Sequence, residues 1–178
     1  SERNNIPKRP QLLLPPLLSQ ITLAEPFAHA TIMGWTGQTW QHAGHDHNGD
    51  PIPLGSAPIG MVDDVYTQKQ YPLWVHLNTS QQSDGRNGHV LVMGGPGTGK
   101  TNFLRTLALS EALLHSPDRL HMYFLSFTGS GLNDLGMLPH AEDVVHGIET
   151  ERVRRLFGRL LAVLNDRQAG IASTYLPP

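Results

Sequence analysis

The sequence predicts an α/β fold in which a parallel sheet is flanked by helices, incomplete in this chain and preceded by an irregular N-terminal extension. Three observations carry that expectation. From Pro58 onward short apolar runs alternate with stretches of helical period, the order expected of a doubly wound sheet. Leu120 to Phe127 is apolar almost throughout, as a parallel strand covered on both faces requires. Between an apolar run and a helix-like stretch lies the octapeptide Gly94-Gly95-Pro96-Gly97-Thr98-Gly99-Lys100-Thr101, which satisfies G-x-x-x-x-G-K-[ST] at every fixed position.

In chain order, residues 1 to 55 form a proline-rich linker and a polar loop without sustained period. Within them, Leu12 to Leu18 reads as an extended strap lying in an apolar groove. Pro58-Ile59-Gly60-Met61-Val62 is a short strand or bend, followed by Asp63-Asp64, and Leu73 to Leu77 is a strand. Residues 81 to 88 form a polar turn region. Val90-Leu91-Val92-Met93 enters the glycine-rich loop as a buried strand. The helix beginning near Thr101 buries Phe103, Leu104, Leu107, Ala108 and Leu114, and stops at Ser116-Pro117, where proline cannot continue it. Val144-Val145 is another short strand. Val153, Leu156, Phe157, Leu160, Leu161 and Leu164 then fall on one helical stripe. Arg152, Arg155 and Arg159 lie off that stripe as a solvated basic face, the alternative being a finger reaching a neighbour's γ-phosphate.

The residue types of the loop dictate a chemistry. Glycines let the backbone turn sharply and point N–H groups inward, where a side chain would block phosphates. The helix start adds partial positive charge. Lys100 can reach the β/γ-phosphates and the Thr101 hydroxyl can hold Mg²⁺. The candidate cofactor-binding residues are therefore Gly94, Gly95, Pro96, Gly97, Thr98, Gly99, Lys100, Thr101 and Asn102. Lys100 and Thr101 are the catalytic candidates, and Thr101 is the metal ligand. The bland alternative, a glycine-rich turn beside an ordinary surface lysine, is disfavoured by the apolar run before the loop and the helix after it.

With 178 residues the chain has room for one domain and appendages. Its 14 prolines and 18 glycines, against 39% hydrophobic residues, signal long irregular stretches. The absence of cysteine rules out disulfides and thiolate metal sites. A net charge of -2 gives no basic surface for duplex DNA, and no apolar run approaches the ~20 residues of a membrane span. Lys8-Arg9, Leu12 to Leu18 and Ala28-His29-Ala30 imitate a secretory signal, but Pro15-Pro16 break the apolar segment and Glu25 sits near the supposed cleavage site. With no initiator Met, Ser1 reads as the start of an excised piece. His42, His45 and His47 with Asp46 and Asp50 could ligate Zn²⁺. Their spacing matches no standard site, so a polar, mobile loop is the preferred reading.

At this point a resemblance becomes specific. Gly88 to Met93, leading into the loop and then Leu104-Arg105-Thr106-Leu107-Ala108-Leu109-Ser110, resembles the FtsK/SpoIIIE-type ATPase domains of type VII secretion systems, the EccC/EssC proteins. Further segments agree: Pro58 to Asp64 with P-[IL]-G-L-V-D-x, Gln68 to Leu73 with Q-x-Q-x-P-L, Leu138 to Val145 with L-P-H-V-G-G-V-V, and Glu151 to Leu161 with E-R-V-R-R-L-L-x-x-L. Leu14-Pro15-Pro16-Leu17 resembles the segment joining successive ATPase domains in tandem.

The resemblance implies a P-loop NTPase of RecA-like fold, with residues 56–178 as the N-terminal part of its domain and ATP and Mg²⁺ as cofactors. It further implies a cytoplasmic domain of a motor anchored in the bacterial cell membrane, homo-hexameric in the full protein, with membrane contact only through parts absent here. Its implied partners are other subunits of a secretion complex and exported helical-hairpin proteins of the WXG type. There are departures. Where the family reads L-D-F-G-G-G-G-L, this chain has Leu125-Ser126-Phe127-Thr128-Gly129-Ser130-Gly131-Leu132, so Ser126 removes a carboxylate. No Walker B strand ending in Asp is recognisable, which reads as a chain holding the phosphate-binding half without the hydrolytic half. The alternatives are a DNA translocase of the same class, which salt-dependent duplex binding would reveal, and a non-hydrolysing nucleotide-binding interaction module.

Overall fold

The computed structural model describes residues 15–30, 33–45, 50–77 and 89–168. Helix α1 spans Ala24–Ala30, strand β1 Met33–Trp35 and β2 Trp40–His45. Strand β3 is Ser56–Asp64, β4 Lys69–His76, helix α2 Lys100–Leu114 and β5 Met122–Ser126. A 3₁₀ turn, Asn133–Met137, precedes β6, Ala141–His146, and helix α3, Thr150–Gln168. The strands form three pairs: β1–β2 and β3–β4 are antiparallel, β5–β6 parallel. Among the described residues, parallel pairing is confined to that last pair.

The extension is less irregular than the sequence suggests. Thr22-Leu23-Ala24-Glu25 fits the S/T-x-x-E pattern, and the Glu25 carboxylate accepts from the Thr22 amide at 3.3 Å, the return half of a capping box. Pro26 follows in the first turn, where its missing N–H costs nothing. Residues 40–45 of the histidine-rich segment form β2 rather than a loop, and 46–49 lie outside the described residues. Of the proline-rich strap, residues 15–18 are described: Pro15 O accepts from Gln70 Nε2 at 2.8 Å, Leu17 is half-buried and Leu18 is exposed. Its earlier residues, the turn region 81–88 and the final ten residues also lie outside the description.

The β3–β4 hairpin turns at Asp64, whose carboxylate accepts from the Tyr66 and Thr67 amides and from the Thr67 hydroxyl at 2.8 Å. These bonds, that of the Thr67 hydroxyl foremost, hold its pKa below the usual carboxylate range. At its other end the hairpin meets α2. Ile52, Ala57 and Leu114 form the buried core, with Phe27, Trp74 and Leu107 packed against it. Ser110 Oγ donates to Pro58 O at 2.6 Å across the same seam. The core therefore lies under the C-terminal half of α2. Leu104, expected inside, is exposed about one turn from the helix start.

Two strongly patterned segments are not covered. Residues 89–95 belong to no strand or helix, and Leu91 and Met93 are each 82% exposed, against the expected buried strand. No described strand pairs with them, so their apolar side chains meet water. Helix α3 forms where its stripe predicts, yet none of its residues is buried and Phe157 is 56% exposed. It packs chiefly on β6, and the rest of the stripe has no described neighbour to cover it.

A polar cluster is also buried at the seam. Glu111 Oε2 accepts from the Gly55 amide at 3.3 Å and lies 3.6 Å from His115 Nε2. His140 Nε2 donates to His115 O at 2.7 Å, tying the start of β6 to the end of α2. Burial raises the Glu111 pKa to about 7. Burial, then the charges of Arg119 and His140, push His115 down to about 4, and burial lowers His140 as well. An acid whose folded pKa is raised loses stability as pH climbs from its unfolded value, ~4.3, to the folded one. A histidine whose folded pKa is lowered gains stability from about pH 4 to 6.5. The two slopes oppose each other. Glu111→Gln removes the falling one, so urea unfolding at pH 8 should show that variant more stable than the parent by about 2 kcal/mol, with the difference vanishing near pH 4.5. Leu114→Ala, at a fully buried position, should cost about 2–5 kcal/mol in the same assay.

Candidate functional site

The loop 94–101 keeps its shape through local bonds. Gly97 and Gly99 have φ of +76° and +88°, the left-handed region that glycine enters without a Cβ penalty. Thr98 Oγ1 donates to Gly95 O at 2.9 Å. Lys100 Nζ donates to Gly94 O at 2.8 Å and to Gly95 O at 2.5 Å, so the ammonium curls back into the mouth of the loop. Gly99 is the N-cap of α2 and offers no side-chain cap, and the first turn holds no acid. The first-turn N–H groups and the helix dipole therefore face whatever enters the loop. A Cβ at Gly97 or Gly99 would meet no other atom within 4 Å, so the mouth is open on that side. These features fit a chain of phosphates: an uncapped helix start, an adjacent ammonium, and no carboxylate in the first turn to repel it.

All nine predicted binding residues thus lie on one loop and one helical turn. Pro96 and Asn102 are exposed on the outer curve and the first turn of α2. Beside them runs a second segment, Phe127 to Leu132, leaving the end of β5. Ser126 Oγ donates to Thr128 O at 3.2 Å and to Gly129 O at 3.3 Å, closing a turn in which Gly129 has φ +69°. The strap then passes Thr101 at Gly131. Arg105 pairs with Asp134 at 2.6 Å and approaches Gly131 O at 3.5 Å. Sequence reasoning missed Arg105, Gly131 and Asp134 as neighbours of the loop. The available signal was Arg105, four residues after Thr101 and so on the same helix face.

The arginines of α3 are engaged elsewhere. Arg152 binds Asp143 at 2.6 Å and Glu149 at 2.9 Å, and Arg155 binds Glu151 at 3.1 Å. The first pairing helps hold the Asp143 and Glu149 pKa values below the usual range, together with amide bonds from Val144 and His146. Arg159 joins Arg152 and Arg155 along a groove bounded by Tyr123 and Phe124 of β5. These are the ion pairs of an exposed face, worth little each. No group of histidines and carboxylates among the described residues is placed to hold a metal ion, and no described helix is long and apolar enough to cross a membrane.

Comparison with known proteins matches this arrangement. The ESX secretion system protein EccC of Thermomonospora curvata is 36% identical over 165 residues, covering 91% of this chain and 11% of that protein. The chain therefore spans about a tenth of that relative's length. The cytoplasmic domain of the T. curvata type VII secretion ATPase EccC superposes with a TM-score of 0.69 at 35% identity, covering 91% of this chain and 17% of the other. T. curvata EccC (ATPases 2 and 3), in complex with a signal sequence peptide, gives 0.67 at 33%, covering 88% and 27%. The family model described as FtsK/SpoIIIE family matches residues 56–175, from β3 through the loop and past the end of α3. On that match, the chain belongs to the FtsK/SpoIIIE family.

Proposed function

We propose that this chain is the nucleotide-holding part of a type VII secretion motor ATPase, one that powers or regulates export of WXG-type helical-hairpin proteins. The observation that carries it is the Lys100 ammonium held inside a glycine loop that opens onto an uncapped helix start. In this reading the backbone N–H groups of the loop between Gly94 and Lys100, other than Pro96 which has none, hold the phosphates of ATP, Lys100 leaves the Gly94 and Gly95 carbonyls to contact the β- and γ-oxygens, and Thr101 holds Mg²⁺. Thr101 would hold that metal, which would supply positive charge to offset the charge of the terminal phosphates. Pro96 shapes the curve and Asn102 flanks it. Holding the phosphates belongs to this stretch; turnover belongs to the whole protein.

Similarity to EccC supports the rest of the reading. The parent is a ring of six whose cytoplasmic part includes this chain, anchored to the membrane through other segments. Its partners are further subunits of a secretion complex and exported proteins, in keeping with the signal sequence peptide bound to the T. curvata relative. Residues 1–55 serve as linker and residues 56–178 as the first part of the ATPase domain, a division of sequence rather than of packing, since Phe27 and Ile52 share a core with Leu114.

Lys100→Ala tests the reading. Losing one charge-assisted contact should weaken ATP·Mg²⁺ binding by about tenfold or more, read by calorimetry, and should shrink the rise in melting temperature that ATP gives the parent. Equal affinity in parent and variant would refute the assignment.

A further inference from the structure

The strap after β5 touches the loop at one point. A Cβ built on Gly131 would lie 2.8 Å from Thr101 Cγ2, 3.8 Å from its Cβ and 3.9 Å from its Oγ1. The strap backbone is therefore flush against the methyl side of Thr101. The φ of Gly131 lies outside the left-handed range, since Gly129 is the strap's only positive-φ residue. An alanine could adopt that backbone freely, so the close approach to Thr101 alone is what excludes a side chain. Arg105, one turn beyond Thr101, pairs with Asp134 at 2.6 Å and reaches toward Gly131 O, a second link between the strap and the helix face that carries Thr101.

Threonine carries its methyl and its hydroxyl on the same carbon. In a helix its χ1 is split between two rotamers, unlike the single one of valine. Packing one face of the methyl against a fixed backbone removes that choice and so sets the direction of the hydroxyl. We propose that Gly131, clamped by the Arg105–Asp134 pair, is a positioning residue that selects the Thr101 rotamer presenting its hydroxyl to the divalent cation of the bound nucleotide. This rests on the nucleotide reading above and goes beyond it by giving the strap a function. It also explains why a glycine stands here while the neighbouring Thr128 and Ser130 carry side chains.

The test is a double-mutant cycle on the 178-residue chain with G131A, T101S and the pair. Serine keeps the hydroxyl and lacks the methyl that would collide. G131A should reduce the gain in ATP affinity brought by Mg²⁺ by about tenfold, the scale of outer-shell losses at metal sites, while affinity without Mg²⁺ changes less than about twofold. In the T101S background the same glycine change should have no further effect. A nucleotide-free readout runs in parallel: G131A should lower the melting temperature with Thr101 present and leave it unchanged in T101S. An equal effect of G131A in both backgrounds, or none in either, overturns the proposal. Failure of the parent to bind ATP would instead remove the nucleotide reading, while the melting cycle would still report whether Gly131 and Thr101 are coupled.

Discussion

Helix α2 is buried at one end and open at the other, and the site depends on that asymmetry. Its last two turns bury Ala108, Ala112 and Leu114, with Leu114 packed on Ile52 and Ala57 of β3, and Ser110 donates into β3 as well. Its first turn projects into solvent with Gly99 as an uncapped start. A helix is stiff over such a length, so anchoring the far end aims the near end. The loop then needs no packing of its own. It is held by bonds among its own atoms and by a helix whose direction is set about 20 Å away, by the 1.5 Å rise of each residue.

That anchor contains a conflict. Glu111 and His115 are buried where an apolar pair would serve the core as well, and burial of ionisable groups is costly unless their partners are complete. The Glu111 Oε1 atom and both His115 ring nitrogens make no hydrogen bond among the described residues. The opposite displacements of their pKa values resolve the conflict: near neutrality the acid is about half protonated and the imidazole is neutral. The seam thus carries less charge than two ionised groups would, and the Gly55 amide and the His140 ring tie two segments to the end of α2.

Much of this was legible in residue order. The loop, its helix and the strand at 122–126 follow from local rules: glycine conformations, a 3.6 period, and a run of apolar residues before a turn. The hairpin was legible only in pieces, because Asp63 and Asp64 look like a break yet lie within β3. What sequence could not show were contacts between distant positions. Arg105 and Asp134 are 29 residues apart, and Glu111 reads as a surface charge until Gly55 is seen folded over it. The capping pattern at Thr22 was available, but a single local signal among prolines does not stand out without the helix it starts.

Two of the most apolar segments, the run Val90 to Met93 and the stripe of α3, are also left largely exposed. Pattern records which face of a segment is meant for cover; it carries nothing about what does the covering. An exposed apolar run of this kind costs free energy in proportion to its area, yet it need not deform the neighbouring loop. The left-handed glycines and the Lys100 bonds to Gly94 and Gly95 are satisfied whether or not residues 89–95 belong to a ladder. The loop geometry is thus decoupled from the sheet on its N-terminal side and tied to β3 through α2 on the other. Whatever covers the exposed run can therefore change its surroundings without rebuilding the loop, whereas any shift at the seam of α2 with β3 turns the helix start and the loop together.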